Sequence, residues 1–299
     1  MKFASIDVGS NAVRLLLCHV IERNHEPVFK KSELIRMPVR LGEDAFLNKF
    51  ISKEKEDKLV ETMKAFRHLI NVFGVVSYRA CATSAMREAA NGTEICRRIK
   101  AEAGIDLEII DGKTEARIIY SNHIAEHLQD DESYLYIDVG GGSTELTVFS
   151  DHRIAWSTSF NIGTLRLLNN TVSKEQWNEF KEKVKKETES FQPLTAIGSG
   201  GNINKIFKMI RKKDNKPVYY SRLKEFYDHL NSFTLNERIT VLNLNPDRAD
   251  VIVPAAKIFL TVMKCARIEK IIVPQIGLAD GLIHLLYENF KTERALKLQ

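Results

Sequence analysis

YLYIDVGGGSTELTVF, residues 134–149, sets one β-branched and aromatic run against another across Gly140-Gly141-Gly142-Ser143. The pattern predicts a strand, a tight turn and a returning strand. Asp138 ends the first strand, and Glu145 opens the second. The same grammar stands near the start of the chain, where Phe3 to Val8 predicts a strand, Gly9-Ser10-Asn11 a turn and Ala12 to Val20 a second strand. Ile6-Asp7-Val8-Gly9 recurs letter for letter as Ile137-Asp138-Val139-Gly140. Both copies occupy the same place in a strand-turn-strand unit, which points to a duplicated domain.

Working outward, helices and strands alternate. Ser52 caps a predicted helix to Phe73, with Leu59, Met63, Phe66, Leu69, Ile70 and Phe73 at helical spacing and Gly74 as its stop. Val75 to Cys81 predicts a strand, Thr83-Ser84 a short helix carrying Arg87, Thr93 to Ala103 a helix and Ile105 to Ile110 a strand. A helix from Thr114 to about Leu128 follows. After the second hairpin come a strand near Ile154 to Phe160 and helices over Ser173 to Phe191, Asn202 to Lys213, Ser221 to Phe233, Asp247 to Ala266 and Leu278 to Phe290. Strands are expected at Leu194 to Ile197 and Ile271 to Val273. This alternation gives an α/β protein whose sheets are covered by helices. A boundary near residues 120–130 gives an N-terminal domain over 1–124 and a C-terminal domain over 125–299.

The 299 residues are 44% hydrophobic, enough for two buried cores, so a disordered chain is excluded. A net charge of +5, from 44 basic and 39 acidic side chains, reads as a charged surface and not as a nucleic-acid-binding tail. Cys18, Cys81, Cys96 and Cys265 form no CxxC pair, and no His cluster has zinc-ligand spacing, so reduced cysteines in a cytoplasmic protein are expected. MKFASIDVGS runs directly into a strand, and nothing in it addresses the chain to export or to a membrane.

Turns of Gly, Ser and Asn can present backbone N–H groups to an anion, because these residues tolerate the positive φ angles that such nests use. Gly141, Gly142, Ser143 and Thr144 make the stronger case, with two hydroxyls as added donors; a bare tight turn is the alternative. Aspartates at the roots of both loops would repel across a cleft unless a cation or donor lay between them, so Asp7 and Asp138 suggest bound magnesium. Glu145 is a further candidate metal contact or a solvated strand residue. Gly198-Ser199-Gly200-Gly201-Asn202 follows a strand and opens a helix, offering a third anion site or a plain connection. It is neither a Walker loop nor a GxGxxG fingerprint.

Arg87 has the fork geometry for a bidentate phosphate contact, or for a salt bridge with Glu88. Glu115 begins a helix just after Asp111-Gly112. It is either a general base on water or ordinary compensation of the helix dipole, and the residues alone favour the second. Lys205, Lys208 and Lys212 share a face opposite Ile203, Ile206 and Ile210; a solvated face is favoured over guidance of a polyanion. Taken alone, the two hairpins do not separate a kinase from a phosphatase.

DVGSNAVRL, ATSAMREAANG, IDGKTEA, DVGGGSTE, GSGGN and RADVIVPA occur in the order seen in the exopolyphosphatase / guanosine pentaphosphate phosphohydrolase (Ppx/GppA) family. The chain resembles that family from Phe3 to about Phe290. The resemblance implies an α/β, two-domain actin-like fold of the ASKHA, ribonuclease H-like class with an interdomain cleft. It implies Asp138 and Glu145 as magnesium-associated acids, Glu115 as catalytic base and Arg87 as a phosphate-binding arginine in catalysis. Asp7, Gly9, Ser10, Asn11 and Arg14 match a first phosphate motif, and Gly141, Gly142, Ser143 and Thr144 a second. Gly200 and Gly201 fall in the third turn, and Arg248 in a segment that would meet a nucleotide or an extended phosphate chain. Two features depart from the family pattern. Long members carry a helical HD-like domain that would begin where this chain ends, so a short form is expected. Lys113-Thr114 precedes Glu115 where many relatives are acidic.

The expected activity is Mg2+-dependent exopolyphosphatase, which releases orthophosphate from the end of inorganic polyphosphate with Glu115 as base. Guanosine pentaphosphate (pppGpp) 5'-phosphohydrolase is the alternative. An actin-like ATPase or sugar kinase and a non-catalytic alarmone-binding protein are more distant ones. Polyphosphate or guanosine pentaphosphate is the expected partner, with no nucleic acid and no membrane, and a homodimer is compatible with the resemblance.

Overall fold

The computed structural model describes residues 1–23, 26–120, 132–151, 153–210, 216–274 and 276–296. The chain packs as two units, Met1–Ile124 with Gly277–Gln299, and Ala125–Ile276.

The first unit contains β1 (Lys2–Val8), β2 (Val13–Arg23), β3 (Glu26–Met37), α1 (Leu41–Asn48), α2 (Lys53–Phe73), β4 (Ser77–Ala82), α3 (Ser84–Glu88), α4 (Gly92–Ala103), β5 (Leu107–Ile109) and α5 (Gly112–Tyr120). Its sheet runs β3-β2-β1-β4-β5, with β1 antiparallel to β2 and parallel to β4. In α2 the expected apolar stripe buries Leu59, Met63, Phe66 and Ile70, and Gly74 at φ 67° closes the helix by donating to Asn71 and Ile70 carbonyls. Leu69, expected on that stripe, is exposed instead.

The second unit contains β6 (Ser133–Val139), β7 (Thr144–Ser150), β8 (Arg153–Phe160), α6 (Thr164–Leu168), α7 (Lys174–Thr188), β9 (Leu194–Ser199), α8 (Gly201–Ile210), β10 (Val218–Tyr219), α9 (Tyr220–Ser232), α10 (Leu235–Thr240), α11 (Pro246–Ala249), α12 (Ile252–Cys265) and β11 (Lys270–Ile272). Its sheet runs β10-β11-β9-β6-β7-β8. Read from the outer antiparallel strand, β8-β7-β6-β9-β11 repeats the order and strand directions of β3-β2-β1-β4-β5. The duplication suggested by four shared letters therefore extends to the whole sheet. Leu135, Ile137, Leu146 and Val148 of this sheet pack with Ile258, Phe259, Val262 and Met263 of α12 in one fully buried cluster. Each such side chain contributes about 1.5–3 kcal/mol on burial.

The final helix, α13 (Leu278–Leu296), returns to the first unit, although the sequence points to a second domain running to residue 299. Its apolar side explains the difference. Ala279, Ile283, Leu286 and Tyr287 bury against Phe3, Leu16, Cys18 and Val20 of β1 and β2. Ser5 Oγ donates to the Ala279 carbonyl at 2.7 Å, and Lys31 pairs with Asp280 at 2.7 Å.

The helix expected over Asp247 to Ala266 is broken at Asp250-Val251 into α11 and α12. Residues 121–128 of the helix expected from Thr114, and Lys212 of the lysine face, lie outside the described residues. All four cysteines are free thiols, and burial pushes Cys81 up to about 12. Among the described residues no helix is long and apolar enough to cross a membrane.

Candidate phosphate and metal site

Strands β6 and β7 pair so that Asp138 lies opposite Glu145 and Val139 opposite Thr144, and Gly140 N–H donates to the Ser143 carbonyl at 2.9 Å. Directly opposed residues share a face of the sheet, so two carboxylates stand side by side at the root of the glycine turn. The neighbouring strands extend the row: Ser199 of β9 is in register with Asp138, and Ser159 of β8 with Glu145. Ser159 Oγ donates to Glu145 Oε1 at 2.9 Å, while Glu145 is only 5% exposed. Ser199 Oγ is within donating reach of two acceptors, the Ile276 carbonyl at 3.0 Å and Asp138 Oδ2 at 3.4 Å.

Two carboxylates with hydroxyl neighbours are a hard oxygen donor set, and magnesium is commonly held through one or two carboxylates, with water and substrate phosphate completing its shell. The pair fits such an ion. Among the described residues no three His, Cys, Asp or Glu side chains gather, so the candidate metal site rests on this pair.

The turn is held from one side by α6. Thr164 N–H donates to Gly140 O at 3.0 Å, Leu165 N–H to Gly141 O at 2.9 Å, and Arg166 Nε–H to Gly142 O at 2.7 Å. With these carbonyls engaged, the turn has backbone N–H groups left to offer an anion. Gly163, ahead of α6, approaches so closely that a Cβ there would lie 2.3 Å from Gly141 O and 2.5 Å from the Gly142 carbonyl carbon. Neither Gly163 nor the buried Arg166 is among the residues expected from sequence. The available signal was a glycine followed by threonine just after a strand, but no motif marks it.

Two expectations about these turns change. Among the described glycines only Gly74, Gly104 and Gly200 adopt positive φ, so Gly9, Gly140, Gly141 and Gly142 are not needed for left-handed backbone. At two of them the backbone is tightly approached: a Cβ at Gly9 would sit 3.2 Å from Ala12 O, and one at Gly140 3.3 Å from Ser143 O. Thr144, expected as a hydroxyl donor to phosphate, is fully buried and gives its proton to Ile162 O at 2.6 Å, so it builds the turn.

Gly200, at φ 108°, lies between β9 and α8, where a Cβ would meet both Asp138 Oδ1 and Val139 O at 3.2 Å. Gly200 and Gly201 therefore open α8 against the end of β6. The second unit thus brings together Asp138, Glu145, the turn Gly140–Thr144 and the N-terminus of α8. Arg248 stands on α11, which packs with α10 and α12.

In the first unit, Asp7 lies opposite Arg14, and Arg14 Nη1 donates to Asp7 Oδ2 at 2.9 Å. The cation beside Asp7 is thus the Arg14 guanidinium. Burial raises the Asp7 carboxyl above the ordinary carboxylate value, outweighing the pull of Arg14. Gly9 N–H closes the turn on Ala12 O at 3.1 Å, and buried Ser10 shares a 2.9 Å hydrogen bond with the Ser84 hydroxyl at the start of α3. The Ser10 and Asn11 carbonyls accept from Gly42 and Arg40 backbone N–H groups, tying the turn to the start of α1.

Arg87 is exposed and donates through Nη1 to the Ile110 carbonyl at 2.8 Å, while neighbouring Glu88 pairs with Lys49. Asp111 then caps α5 by accepting from Thr114 N–H at 2.7 Å, and Glu115 N–H donates to Asp111 O at 3.0 Å. The hydrogen bonds from Thr114, with a smaller pull from Arg87, lower the Asp111 carboxyl. Arg87 and half-buried Glu115 are therefore anchored at one junction, Ile110-Asp111. Helix α13 braces α5, and a Cβ on Gly281 would fall 2.1 Å from Ile118 O.

Two sheets of repeated order, each closing its first hairpin with an aspartate and a glycine turn, define an α/β protein of the two-domain actin-like class. Residues 21–290 match the model of the Ppx/GppA phosphatase family, and the chain belongs to that family of hydrolases. It is 32% identical over 273 residues to the bifunctional 3-dehydroquinate synthase/phosphatase of Fusobacterium nucleatum, a match covering 84% of this chain but only 41% of that protein's length. It is 23% identical over 303 residues to exopolyphosphatase 1 of Mycobacterium tuberculosis, covering 95% of this chain and 87% of that one. Among solved structures, an exopolyphosphatase from Cytophaga hutchinsonii superposes with a TM-score of 0.85 at 26% identity, covering 97% of this chain and 98% of the other. The Aquifex aeolicus family member gives a TM-score of 0.75 at 26% identity, covering 97% and 99%.

Proposed function

We propose that the chain is an exopolyphosphatase, hydrolysing the terminal phosphoanhydride of inorganic polyphosphate to orthophosphate and a chain one unit shorter. The observation that carries this reading is the Asp138–Glu145 pair at the root of a glycine turn whose carbonyls are engaged by α6. Relatives named exopolyphosphatase supply the substrate class.

Asp138 and Glu145 would hold a divalent cation, taken as Mg2+, which when bound neutralises charge on the terminal phosphates. The N–H groups of Gly141, Gly142 and Ser143, with those of Gly200 and Gly201, orient the phosphates. Arg14, Arg87 and Arg248 add charge where it accumulates on phosphoryl oxygens. Asp7 acts through Arg14, holding its guanidinium in place. Glu115 takes a proton from the attacking water as the new phosphorus–oxygen bond forms, and the bridging oxygen departs with the shortened chain. Ser10 and Asn11 shape the first turn.

The test is the site of cleavage. Polyphosphate with free ends should lose orthophosphate stepwise, whereas polyphosphate capped at both ends should persist. Internal cleavage of the capped polymer would refute the reading. Release from pppGpp with none from polyphosphate would transfer it to the nucleotide.

A further inference from the structure

A cavity of about 530 Å3 opens in the second unit, lined by the segment after α6, the first turns of α7, and parts of α9 and α12. None of the residues assigned above to phosphate or metal lines it. Its volume lies within the range of small-molecule sites, about 300–1,000 Å3.

The lining combines three chemistries. Trp177 and Tyr227 are half-buried aromatic walls, and Trp177 is steadied by Phe180 with ring centroids 5.6 Å apart. Lys257 Nζ lies over the Trp177 ring, 5.3 Å from its centre, as a cation–π contact, and Lys174 lines the same space. Asn178 and Asn231 bring exposed side-chain amides, each with both donors and an acceptor. Aromatic walls favour a flat ring, amides read a hydrogen-bonding edge, and lysines call for an anion. A sugar leaves the lysines without a counter-charge, and orthophosphate leaves the aromatic walls bare.

We propose that this cavity binds a nucleoside monophosphate: its phosphate, held by Lys174, draws Lys257 off the Trp177 ring, and its base takes the uncovered face of Trp177 beside Tyr227. Leu167 of α6 also lines the cavity, so the helix that holds the glycine turn is shared with it.

Trp156→Phe leaves Trp177 as the sole tryptophan of the chain. In that variant GMP or AMP should quench the fluorescence saturably, whereas orthophosphate and ribose 5-phosphate should need about tenfold higher concentration. Lys257→Glu should weaken nucleotide binding by about tenfold or more, the cost of a lost charge-assisted contact, with the circular dichroism spectrum unchanged. Dialysis of labelled GMP against the natural chain and Lys257→Glu should give the same ratio without the tryptophan change. No saturable binding of either nucleotide, equal binding of ribose 5-phosphate, or undiminished binding by Lys257→Glu would each overturn the proposal. These readouts need no turnover, so they stand or fall separately from the hydrolase reading.

Discussion

Asp138 faces Glu145 across the β6–β7 pairing, and at the equivalent register of the β1–β2 hairpin Asp7 faces Arg14. The same backbone unit thus carries opposite electrostatics in its two copies. One copy sets two carboxylates side by side, a donor set suited to a cation, and the other sets a buried carboxyl beside a guanidinium.

Glu145→Gln should therefore change metal use before it changes the fold. The amide keeps the shape and the partner Ser159 hydroxyl, but removes one of the two charges. The Mg2+ concentration for half-maximal phosphate release should rise by about tenfold or more, since even outer partners of metal ligands carry effects of that size. An unchanged metal titration would remove Glu145 from the metal site.

Gly163→Ala tests the support under the glycine turn. The added methyl meets backbone at both Gly141 and Gly142, so the turn or α6 must shift. Overpacking of this kind costs about 1–3 kcal/mol, read as a lower melting temperature. Displacing donors by about 1 Å can cost about 100-fold in rate, so kcat should fall more than stability alone explains.

Gly281→Ala makes the same test for the general base. Here the methyl presses on the Ile118 carbonyl of α5, the helix whose first turn carries Glu115. A loss of about 1–3 kcal/mol in urea unfolding is expected, with a drop in kcat at little change in KM.

Asp7→Asn separates charge from shape. Because the folded-state carboxyl is raised above its ordinary value of 3.8, the fold favours its neutral form; that stability is present below the ordinary value and lost as pH rises through the folded pKa. The variant should then be at least as stable as the natural chain at pH 7, with the margin closing as pH falls through that window. Its KM should nevertheless rise, because Arg14 loses the carboxylate that holds it. Urea unfolding at pH 7 and pH 4, with Michaelis constants at pH 7, checks both parts.

The hairpins and α2 were legible because apolar periodicity and glycine stops are local signals. β3 was not: EPVFKKSELIRM is mostly exposed and lacks alternation, and it becomes a strand by pairing along β2 at the sheet edge. Of the site, Asp138, Glu145 and the glycine turns were visible as letters, and their adjacency followed from the hairpin. Gly163, Arg166 and Gly281 act through segments distant in sequence, and no local pattern reports how closely a glycine backbone approaches another chain segment. The same limit hid the return of α13 to the first unit and the commitment of the Thr144 hydroxyl to Ile162.

Orthophosphate release from polyphosphate by the natural chain and by Glu115→Gln, each with and without Mg2+, tests the central claim most directly. The proposed chemistry predicts release by the natural chain only with the metal, and a fall of about 100- to 10,000-fold in Glu115→Gln, the usual weight of a general base. Release by Glu115→Gln at the natural rate, or none by the natural chain with Mg2+, would contradict it.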